Sequence, residues 1–332
     1  MTEDMTIFDA LPGQLMDVSE VTHSLTQMWA GTPSLDQEAP SEFRASQMNI
    51  VLHFGLKTSP DEAFDRFNTA IAFAQRYPCR IVVLCPMGRE SSDRLLQGKL
   101  FAQCYVGSSM REMCCCEALM LGYPTREAGF LSNQVSIWLE NDLPTYHWFN
   151  RIPAERITTM HMDFVKRCRR VIYDSDIEEA DILNVKWPRP EAAVDLAHAR
   201  ILPIRQSLGQ FLSRYDTSKL AGGLLSVQVR YTEGREGEAR NLLKWTESCL
   251  QACAKDAKLS LNAEFTLHKA DCDHCLEIEW SYDDSRHFLW THESKGLDAR
   301  VTADFGAGRV SSPMQVGFLE PVNALAEALF FN

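Results

Sequence analysis

Met48-Asn-Ile-Val-Leu-His-Phe54 and Cys79-Arg-Ile-Val-Val-Leu-Cys85 are the two stretches that decide the fold. Each is a short apolar run bounded by turn-forming residues, which predicts a buried strand. Between them, residues 60–76 carry apolar side chains at three- and four-residue steps, and Ser59 is placed to cap the helix that this spacing predicts. Two strands joined through a helix form a parallel β-α-β unit. The sequence therefore predicts an α/β domain with a Rossmann-like sheet.

Further apolar runs extend this predicted sheet. The runs at 100–106 and 113–121 flank the turn-like Gly107-Ser-Ser109 and predict a hairpin, although the second run also fits a helix. The pattern that follows predicts helices at 129–139 and 154–167 and strands at 145–149 and 170–174. A hairpin added to parallel strands makes the predicted sheet a mixed one.

A smaller second domain is predicted after Trp187-Pro-Arg-Pro190, because two prolines around one residue disfavour both a helix and a central strand. Its pattern predicts helices at 203–215, 236–254 and 321–331 and strands at 224–231, 263–268, 275–282, 287–292 and 299–305. Strands separated by turns favour an antiparallel sheet, so this domain is predicted to be α+β. The predicted organisation is an N-terminal arm at 1–44 with one amphipathic helix, the α/β sheet domain at 45–186, a Pro-rich linker at 187–193 and the α+β domain at 194–332.

The charge balance and the apolar runs exclude two classes of partner. The 332 residues include 33 basic and 45 acidic ones, a net charge of −12, which predicts no nucleic acid partner because phosphate binding needs excess positive charge. No apolar run approaches the roughly 20 residues that span a bilayer, which predicts no membrane association. The acidic start of the sequence lacks the pattern of a secretory signal, so we expect a cytoplasmic protein.

The sequence Arg111-Glu-Met-Cys-Cys-Cys-Glu-Ala-Leu-Met-Leu121 looks like a metal site but does not fit one. Neighbouring side chains lie about 100° apart on a helix and on opposite faces of a strand, so the three cysteines cannot all face one ion. We therefore predict packed core and no metal, with a thiol activated by Arg111 as the alternative. The odd total of 11 cysteines favours reduced thiols over a disulfide framework.

Cys272-Asp-His-Cys275 has the spacing of a dithiol pair or of half a zinc site. No second pair of this spacing completes a zinc site, and the motif does not open a helix after a strand as thioredoxin-like motifs do. A solvated turn before a strand is the simpler interpretation. Cys272 and Cys275 stay as redox candidates.

Cofactor and hydrolase motifs are missing where an α/β fold would carry them. The turn after the first strand is His53-Phe-Gly-Leu-Lys-Thr-Ser59, without the glycine pattern that binds a dinucleotide. The sequence also lacks a P-loop, a G-x-S-x-G elbow and an H-E-x-x-H motif. We therefore predict no cofactor and no catalytic residue. The aromatic stretch that ends at Phe149 predicts a core strand or, alternatively, an aromatic anchor for a partner.

Six short motifs occur in an order that points to one family. They are Arg44 with Asn49, Arg80 in Tyr77-Pro-Cys-Arg80, Glu117 after the cysteines, Asp142-Leu-Pro144 followed by Trp148, Arg200 with Arg205, and Trp245 in Asn241-Leu-Leu-Lys-Trp245. With this order the chain resembles the glucose-6-phosphate dehydrogenase assembly protein family, OpcA. It departs from the family pattern at Phe149 and Ile204, where tryptophan would stand.

The resemblance implies a protein that works through binding. A member of this family is expected to bind glucose-6-phosphate dehydrogenase and to promote its active state as an assembly factor or allosteric activator. This function belongs to the oxidative pentose phosphate pathway and needs no chemistry of the chain's own. The motif residues are then candidates for contacts with the dehydrogenase or for structural roles. Glu117 in particular needs a cationic partner if it is buried, and Arg44 or Arg80 could supply it.

An alternative hypothesis is an α/β sensor or enzyme that binds a sugar phosphate. Arg44, Arg80 or Arg205 would then hold the phosphate, although each could equally stabilise the fold. Thiol redox regulation through Cys272 and Cys275 would be compatible with either hypothesis.

Overall fold

The computed structural model describes residues 5–30, 46–88, 96–105, 114–270, 274–293 and 296–331. The chain divides into two compact units. Unit 1 contains residues 1–174, 178–194 and 325–332, and unit 2 contains residues 175–177 and 195–324. Within the described ranges, no helix combines the length and the apolar character that crossing a membrane requires.

Unit 1 is built on an eight-stranded sheet. Its strands are β1 Gln14–Met16, β2 Met48–Phe54, β3 Cys79–Met87, β4 Gln97–Tyr105, β5 Cys114–Pro124, β6 Thr145–Asn150, β7 Arg170–Tyr173 and β8 Ala193–Asp195, in the order β1-β4-β5-β3-β2-β6-β7-β8. The central strands β5, β3, β2, β6 and β7 are parallel. Counted along the chain, these five have the order 3-2-1-4-5 of a Rossmann sheet. The antiparallel β4 beside β5 makes the sheet mixed, which confirms the predicted fold class.

The helices of unit 1 lie between these strands. They are α1 Ile7–Ala10, α2 Val21–Ala30, α3 Pro60–Ala74, α4 Leu131–Ser136, α5 Ala154–Arg156 and α6 Met162–Arg167, with 3-10 turns at Thr125–Phe130, Ala180–Asn184 and Pro190–Ala192. The predicted cap of α3 is confirmed, since the Ser59 side chain accepts a hydrogen bond from the Glu62 N–H. The helix predicted at 154–167 is present, but a π-helical turn at Ile157–His161 interrupts it.

Several predicted elements of unit 1 have different bounds in the structure. The run at 113–121 belongs to β5 and is not helical, and the helix predicted at 129–139 is a 3-10 turn followed by the shorter α4. β3 continues past Pro86 to Met87. The pairing of β3 with β2 stops at Leu84, before the proline. A proline is tolerated in a strand where no neighbouring strand needs its missing N–H. The predicted arm contributes β1, which pairs with β4.

The core of unit 1 lies on both faces of the parallel strands. Every residue of β2 and β3 is buried, including Asn49, His53 and Arg80. Continuous apolar runs are expected where helices and loops cover both faces of a parallel sheet. The polar side chains in these runs are therefore exceptions, and they need partners inside the protein.

Unit 2 contains a six-stranded sheet that is mainly antiparallel. Its strands are β9 Leu224–Tyr231, β10 Glu264–Lys269, β11 His274–Tyr282, β12 His287–Glu293, β13 Asp298–Asp304 and β14 Val310–Gln315, in the order β10-β9-β11-β12-β13-β14. The helices are α7 Leu196–Arg200, α8 Leu202–Leu212, α9 Thr217–Ala221, α10 Glu236–Asp256 and α11 Pro321–Phe330, the last ending within unit 1. The antiparallel sheet predicted for this domain is confirmed, with one parallel pair at its edge. There α10 crosses over and makes β10 parallel to β9.

Candidate functional site

The two ends of the parallel sheet in unit 1 carry different polar clusters. At the amino ends of the strands, Asn49 on β2 is paired in register with Arg80 on β3 and with Thr145 on β6. Arg80 is in turn paired with Glu117 on β5. The structure thus brings together three residues from separate sequence motifs. We call Asn49, Arg80, Glu117 and Glu140 the amino-end cluster.

A buried ion pair forms the centre of the amino-end cluster. The Nε of Arg80 donates to Oε1 of Glu117 over 2.6 Å, and both side chains are less than a tenth exposed. A second guanidinium nitrogen lies 2.5 Å from Oε1 of Glu140, and the third donates to the Trp138 carbonyl over 3.1 Å. The prediction that a buried Glu117 has an arginine partner is confirmed for Arg80. Arg44, the other candidate, lies outside the described residues.

Asn49 fixes the loop that precedes β6. Its side-chain amide donates to the Glu140 carbonyl over 2.9 Å and to Oγ1 of Thr145 over 3.2 Å, and its side-chain oxygen accepts from the Glu140 N–H over 3.1 Å. The Asn49 backbone N–H also donates to the Pro144 carbonyl over 2.9 Å. The loop that carries Asp142 and Pro144 is therefore tied to the sheet by Asn49 at several points.

A groove of about 600 Å³ opens beside this loop. Pro144 and Glu140 line it, and Asp142 beside them is exposed. Four cations also line the groove, namely Lys166, Arg167, Arg169 and Arg189. We call this surface the basic groove. The sequence analysis missed it, although the signal was present in the run Lys166-Arg-Cys-Arg-Arg170.

The free charges of the basic groove lie on Arg167 and Arg169. Both side chains are exposed, and within the described part of the chain neither has a carboxylate partner. Lys166 lies 3.4 Å from the Asp163 carboxylate, and Arg189 donates to the Cys168 carbonyl. Glu140 is the only acid among the described lining residues, and Arg80 already neutralises it. The groove therefore has a local positive potential on an acidic protein.

Trp148 is buried in β6 and is not a surface anchor. It is 1% exposed and Tyr146 is 4% exposed, so neither ring can reach a partner. The interpretation of this stretch as an aromatic anchor is therefore wrong for these two residues. Buried and exposed side chains do not alternate along β6, because a parallel central strand is covered on both faces.

The remaining motif residues belong to unit 2 and have structural contacts there. The Nε of Arg200 donates to Oε1 of the fully buried Glu238 over 2.7 Å. Arg205 donates to the His198 carbonyl over 3.3 Å, and Trp245 on α10 packs against the hydrophobic core of the unit.

The cysteine predictions have different outcomes. Cys116 is buried, as packed core requires, whereas the side chains of its two neighbours lie outside the described residues. Cys104 is disulfide-bonded, so the expectation of reduced thiols is wrong for that residue. Cys272 and the side chain of Cys275 also lie outside the described residues, and their redox role stays a prediction.

The carboxyl ends of the same strands hold a cluster that the sequence analysis did not predict. Nδ1 of His53 and Nε2 of His147 share a hydrogen bond of 3.2 Å, and Nε2 of His53 lies 2.9 Å from the Tyr123 hydroxyl. The ring of His161 stands edge-on to His53, with centroids 4.6 Å apart. We call these four residues the histidine cluster. The only sequence signal was a histidine in each of two otherwise apolar strands.

Burial keeps the histidine cluster uncharged. It lowers the pKa of His53 and His147 well below the ordinary value, and the charges of neighbouring histidines lower both pKa values further. Burial and the nearby Arg156 lower the pKa of His161 to about 4. The three rings are therefore neutral at pH 7, each with one N–H to donate. Among the described residues, no three histidines, cysteines or carboxylates are placed to hold a metal ion.

A cavity of about 150 Å³ adjoins the histidine cluster, at the point where the strand order reverses between β2 and β6. Such a switch point is the usual ligand site of an open α/β sheet. The loop after β6 occupies part of it, because a Cβ on Gly55 would lie 1.8 Å from the Arg151 carbonyl oxygen. The first β-α turn is thus covered by protein backbone where a Rossmann domain would hold a pyrophosphate.

Comparison with known proteins shows a similarity to one family. Residues 70–186 match the OpcA family model described as "Glucose-6-phosphate dehydrogenase subunit N-terminal domain". The matched range contains Arg80, Glu117, Asp142 and Trp148. Three curated cyanobacterial proteins, each named OpcA and assigned provisionally to the OxPP cycle, are also similar to this chain. Residues 70–186 of this chain are therefore similar to the OpcA family.

The similarity to these OpcA proteins covers part of each chain. The protein of Synechocystis is 25% identical over 58% of this chain and 41% of its own length. The protein of Synechococcus elongatus is 25% identical over 73% of this chain and 54% of its own length. This chain therefore spans about half the length of the curated relatives it matches.

Solved structures show a distant likeness to this chain. Aldose-aldose oxidoreductase of Caulobacter crescentus has a TM-score of 0.38 at 9% identity and covers 84% of this chain and 87% of its own. Dihydrodipicolinate reductase of Paenisporosarcina has a TM-score of 0.36 at 6% identity and covers 85% and 93%. A likeness at this level carries no inference about activity.

Proposed function

We propose that this chain is a non-catalytic assembly factor that binds glucose-6-phosphate dehydrogenase and favours its active state in the oxidative pentose phosphate pathway. Similarity to the OpcA family is the observation that carries the proposal. The family description names the dehydrogenase, and the relatives' names refer to the OxPP cycle. The covered first β-α turn supports the non-catalytic part, because a cavity of about 150 Å³ is below the roughly 300 Å³ of the smallest typical ligand pockets.

The basic groove is the surface that we propose for the contact. Its exposed Arg167 and Arg169 have no carboxylate partner among the described residues, so an acidic segment of the dehydrogenase would complement them. The adjoining loop is held in one conformation by Asn49 and Arg80. A loop held in this way loses little conformational entropy on binding. In this proposal the buried motif residues position the surface and do not touch the partner.

Activation requires a difference in affinity between two states of the dehydrogenase. A chain that binds the active state tenfold more tightly shifts the population tenfold, and this needs only about 1.4 kcal/mol. A few charge-assisted contacts in the basic groove are sufficient for a difference of this size.

The test is to mix the purified chain with glucose-6-phosphate dehydrogenase from the same organism. Co-migration on a sizing column and the enzyme's KM are measured for the wild type, Arg167→Glu/Arg169→Glu and the control Lys255→Glu/Arg309→Glu. The control reverses two exposed charges in unit 2 and changes the net charge by the same amount. We expect the wild type and the control to bind and to change the KM or the oligomeric mass, and the groove variant to bind at least tenfold more weakly.

Two results would contradict different parts of the proposal. If the wild type neither co-migrates with the dehydrogenase nor alters its kinetics, the assembly function is rejected. If both double variants bind equally well, the function stands and the basic groove is rejected as the contact.

A further inference from the structure

The cavity beside the histidine cluster has a positively charged lining. Three cations line it, namely Lys57, Arg151 and Arg156, and no carboxylate is among its described lining residues. Its volume of about 150 Å³ corresponds to roughly five water molecules at about 30 Å³ each. The cavity therefore has room for a small polar group and lacks room for a nucleotide.

Two of the three lining cations are already neutralised. Lys57 forms an exposed ion pair with Glu179. The Nε of Arg151 donates to Oε2 of Glu62 over 2.6 Å. The carboxyl group of Glu178, which accepts the Arg151 N–H over 2.7 Å, has its pKa raised to about 8 by burial and adds little negative charge at pH 7. Arg156 is therefore the lining cation that contributes the net positive charge of the cavity.

Arg156 has no anionic partner in the part of the chain that the structure describes. Its guanidinium is half-buried at the cavity, and no described carboxylate lies within ion-pair distance of it. A guanidinium has five donors in a planar fork that matches the oxygens of a phosphate or a carboxylate. Half-buried in the cavity wall with no internal partner, it is suited to bind an external anion.

His161 supplies a second and independent observation. It is 1% exposed and lines the cavity, yet its Nδ1 has no hydrogen-bond partner among the described residues. A buried polar atom without a partner costs about 1–3 kcal/mol, and such atoms are rare in folded proteins. The hydroxyl of Tyr123, held by His53, also lines the cavity. A bound ligand with hydrogen-bonding oxygens would satisfy these groups.

We propose that this cavity binds a small oxyanion, namely the phosphoryl group of inorganic phosphate or of a small phosphate ester, with Arg156 as its charged partner and His161 as a hydrogen-bond partner. The position agrees with the general rule that ligands of open α/β sheets bind outside the carboxyl ends of the strands, at the switch point. The site uses none of the motif residues and does not depend on the assembly function.

Isothermal titration of the full chain with sodium phosphate tests the proposal at pH 7.5, in a buffer held at constant ionic strength with chloride. We expect saturable binding to the wild type. Arg156→Gln should bind phosphate at least tenfold more weakly, because it removes the charge and keeps the length of the side chain. The control Arg126→Gln removes an exposed arginine outside the cavity lining and should bind like the wild type.

Further titrations distinguish the possible ligands, and circular dichroism checks that the variants are folded. Glucose 6-phosphate distinguishes an ester from free phosphate, and acetate tests whether any carboxylate suffices. His161→Gln should weaken phosphate binding several-fold while far-UV circular dichroism stays unchanged. No saturable heat with either phosphate compound, equal affinity of Arg156→Gln and Arg126→Gln, or acetate binding as tight as phosphate would each overturn the proposal. The dehydrogenase is absent from every arm, so the assembly function can fail independently.

Discussion

The buried polar groups at the two ends of the same parallel sheet differ in their charge and in their partners. At the amino ends, Arg80 and Glu117 form an ion pair over 2.6 Å. At the carboxyl ends, His53, His147 and His161 are neutral because burial disfavours their charged forms. The residues at the amino ends hold a loop in place. The histidines at the carboxyl ends place hydrogen-bonding groups beside a cavity.

The largest effect is expected from breaking the ion pair at the amino end. Arg80→Met removes the cation that lies 2.6 Å from the buried Glu117 carboxylate and should lower the free energy of unfolding by about 3–5 kcal/mol. Urea unfolding followed by tryptophan fluorescence at pH 7 measures this loss, since Trp138 and Trp148 are buried in the same unit.

The double variant Arg80→Met/Glu117→Leu is the control for this prediction. It removes both charges and should recover most of the lost stability, because apolar side chains of similar volume can replace a buried ion pair. A double variant as unstable as the single one would show that the unpaired charge is not the cause.

The histidine cluster should make the protein sensitive to acid. His161 has a folded pKa of about 4 against an ordinary value of 6.5, so below pH 6.5 the unfolded chain binds more protons and the free energy of unfolding falls as the pH falls. The shift corresponds to about 3 kcal/mol by pH 4. In unfolding curves from pH 7.5 to pH 4, the free energy of unfolding of the wild type relative to that of His161→Gln should fall by about 3 kcal/mol.

His23→Gln, which removes an exposed histidine of the same unit, is the matched control and should keep the wild-type pH dependence. The raised pKa of Glu178 acts with the opposite sign, since its contribution to stability falls as the pH rises from about 4.5 to 8. That contribution is common to all three proteins and cancels in their differences. Parallel curves for the wild type and His161→Gln would contradict the assignment of a neutral buried ring.

A smaller effect is expected from the hydrogen bonds of Asn49. Asn49→Ala leaves the N–H and carbonyl of Glu140 without their partner and should lower the free energy of unfolding by about 2 kcal/mol. Asn133→Ala, at an exposed position on α4, should change it by less than about 0.5 kcal/mol. Equal effects of these two substitutions in urea unfolding would show that the loop does not depend on Asn49.

The two ends also differ in how far the sequence predicted them. Glu117 interrupts an apolar run, and a buried carboxylate needs a cation, so residue types alone predicted an arginine partner, either Arg44 or Arg80. The register of β3 with β5 pairs Glu117 with Arg80. The histidine cluster could not be predicted in this way, because neutral histidines need no partner of opposite charge. His53 and His147 meet because β2 pairs with β6, and His161 joins them from the interrupted helix that follows.

The sequence by itself determined the α/β class, the parallel β2-α3-β3 unit and the family motifs, because hydrophobic periodicity and residue order are local properties. Only the tertiary structure decided which strands are neighbours, where Pro86 is tolerated, that β10 is parallel to β9 and that the loop at Arg151 covers the first β-α turn. These depend on contacts between residues far apart in the chain. Local propensity does not specify such contacts, because they are set by how all the buried surfaces fit together.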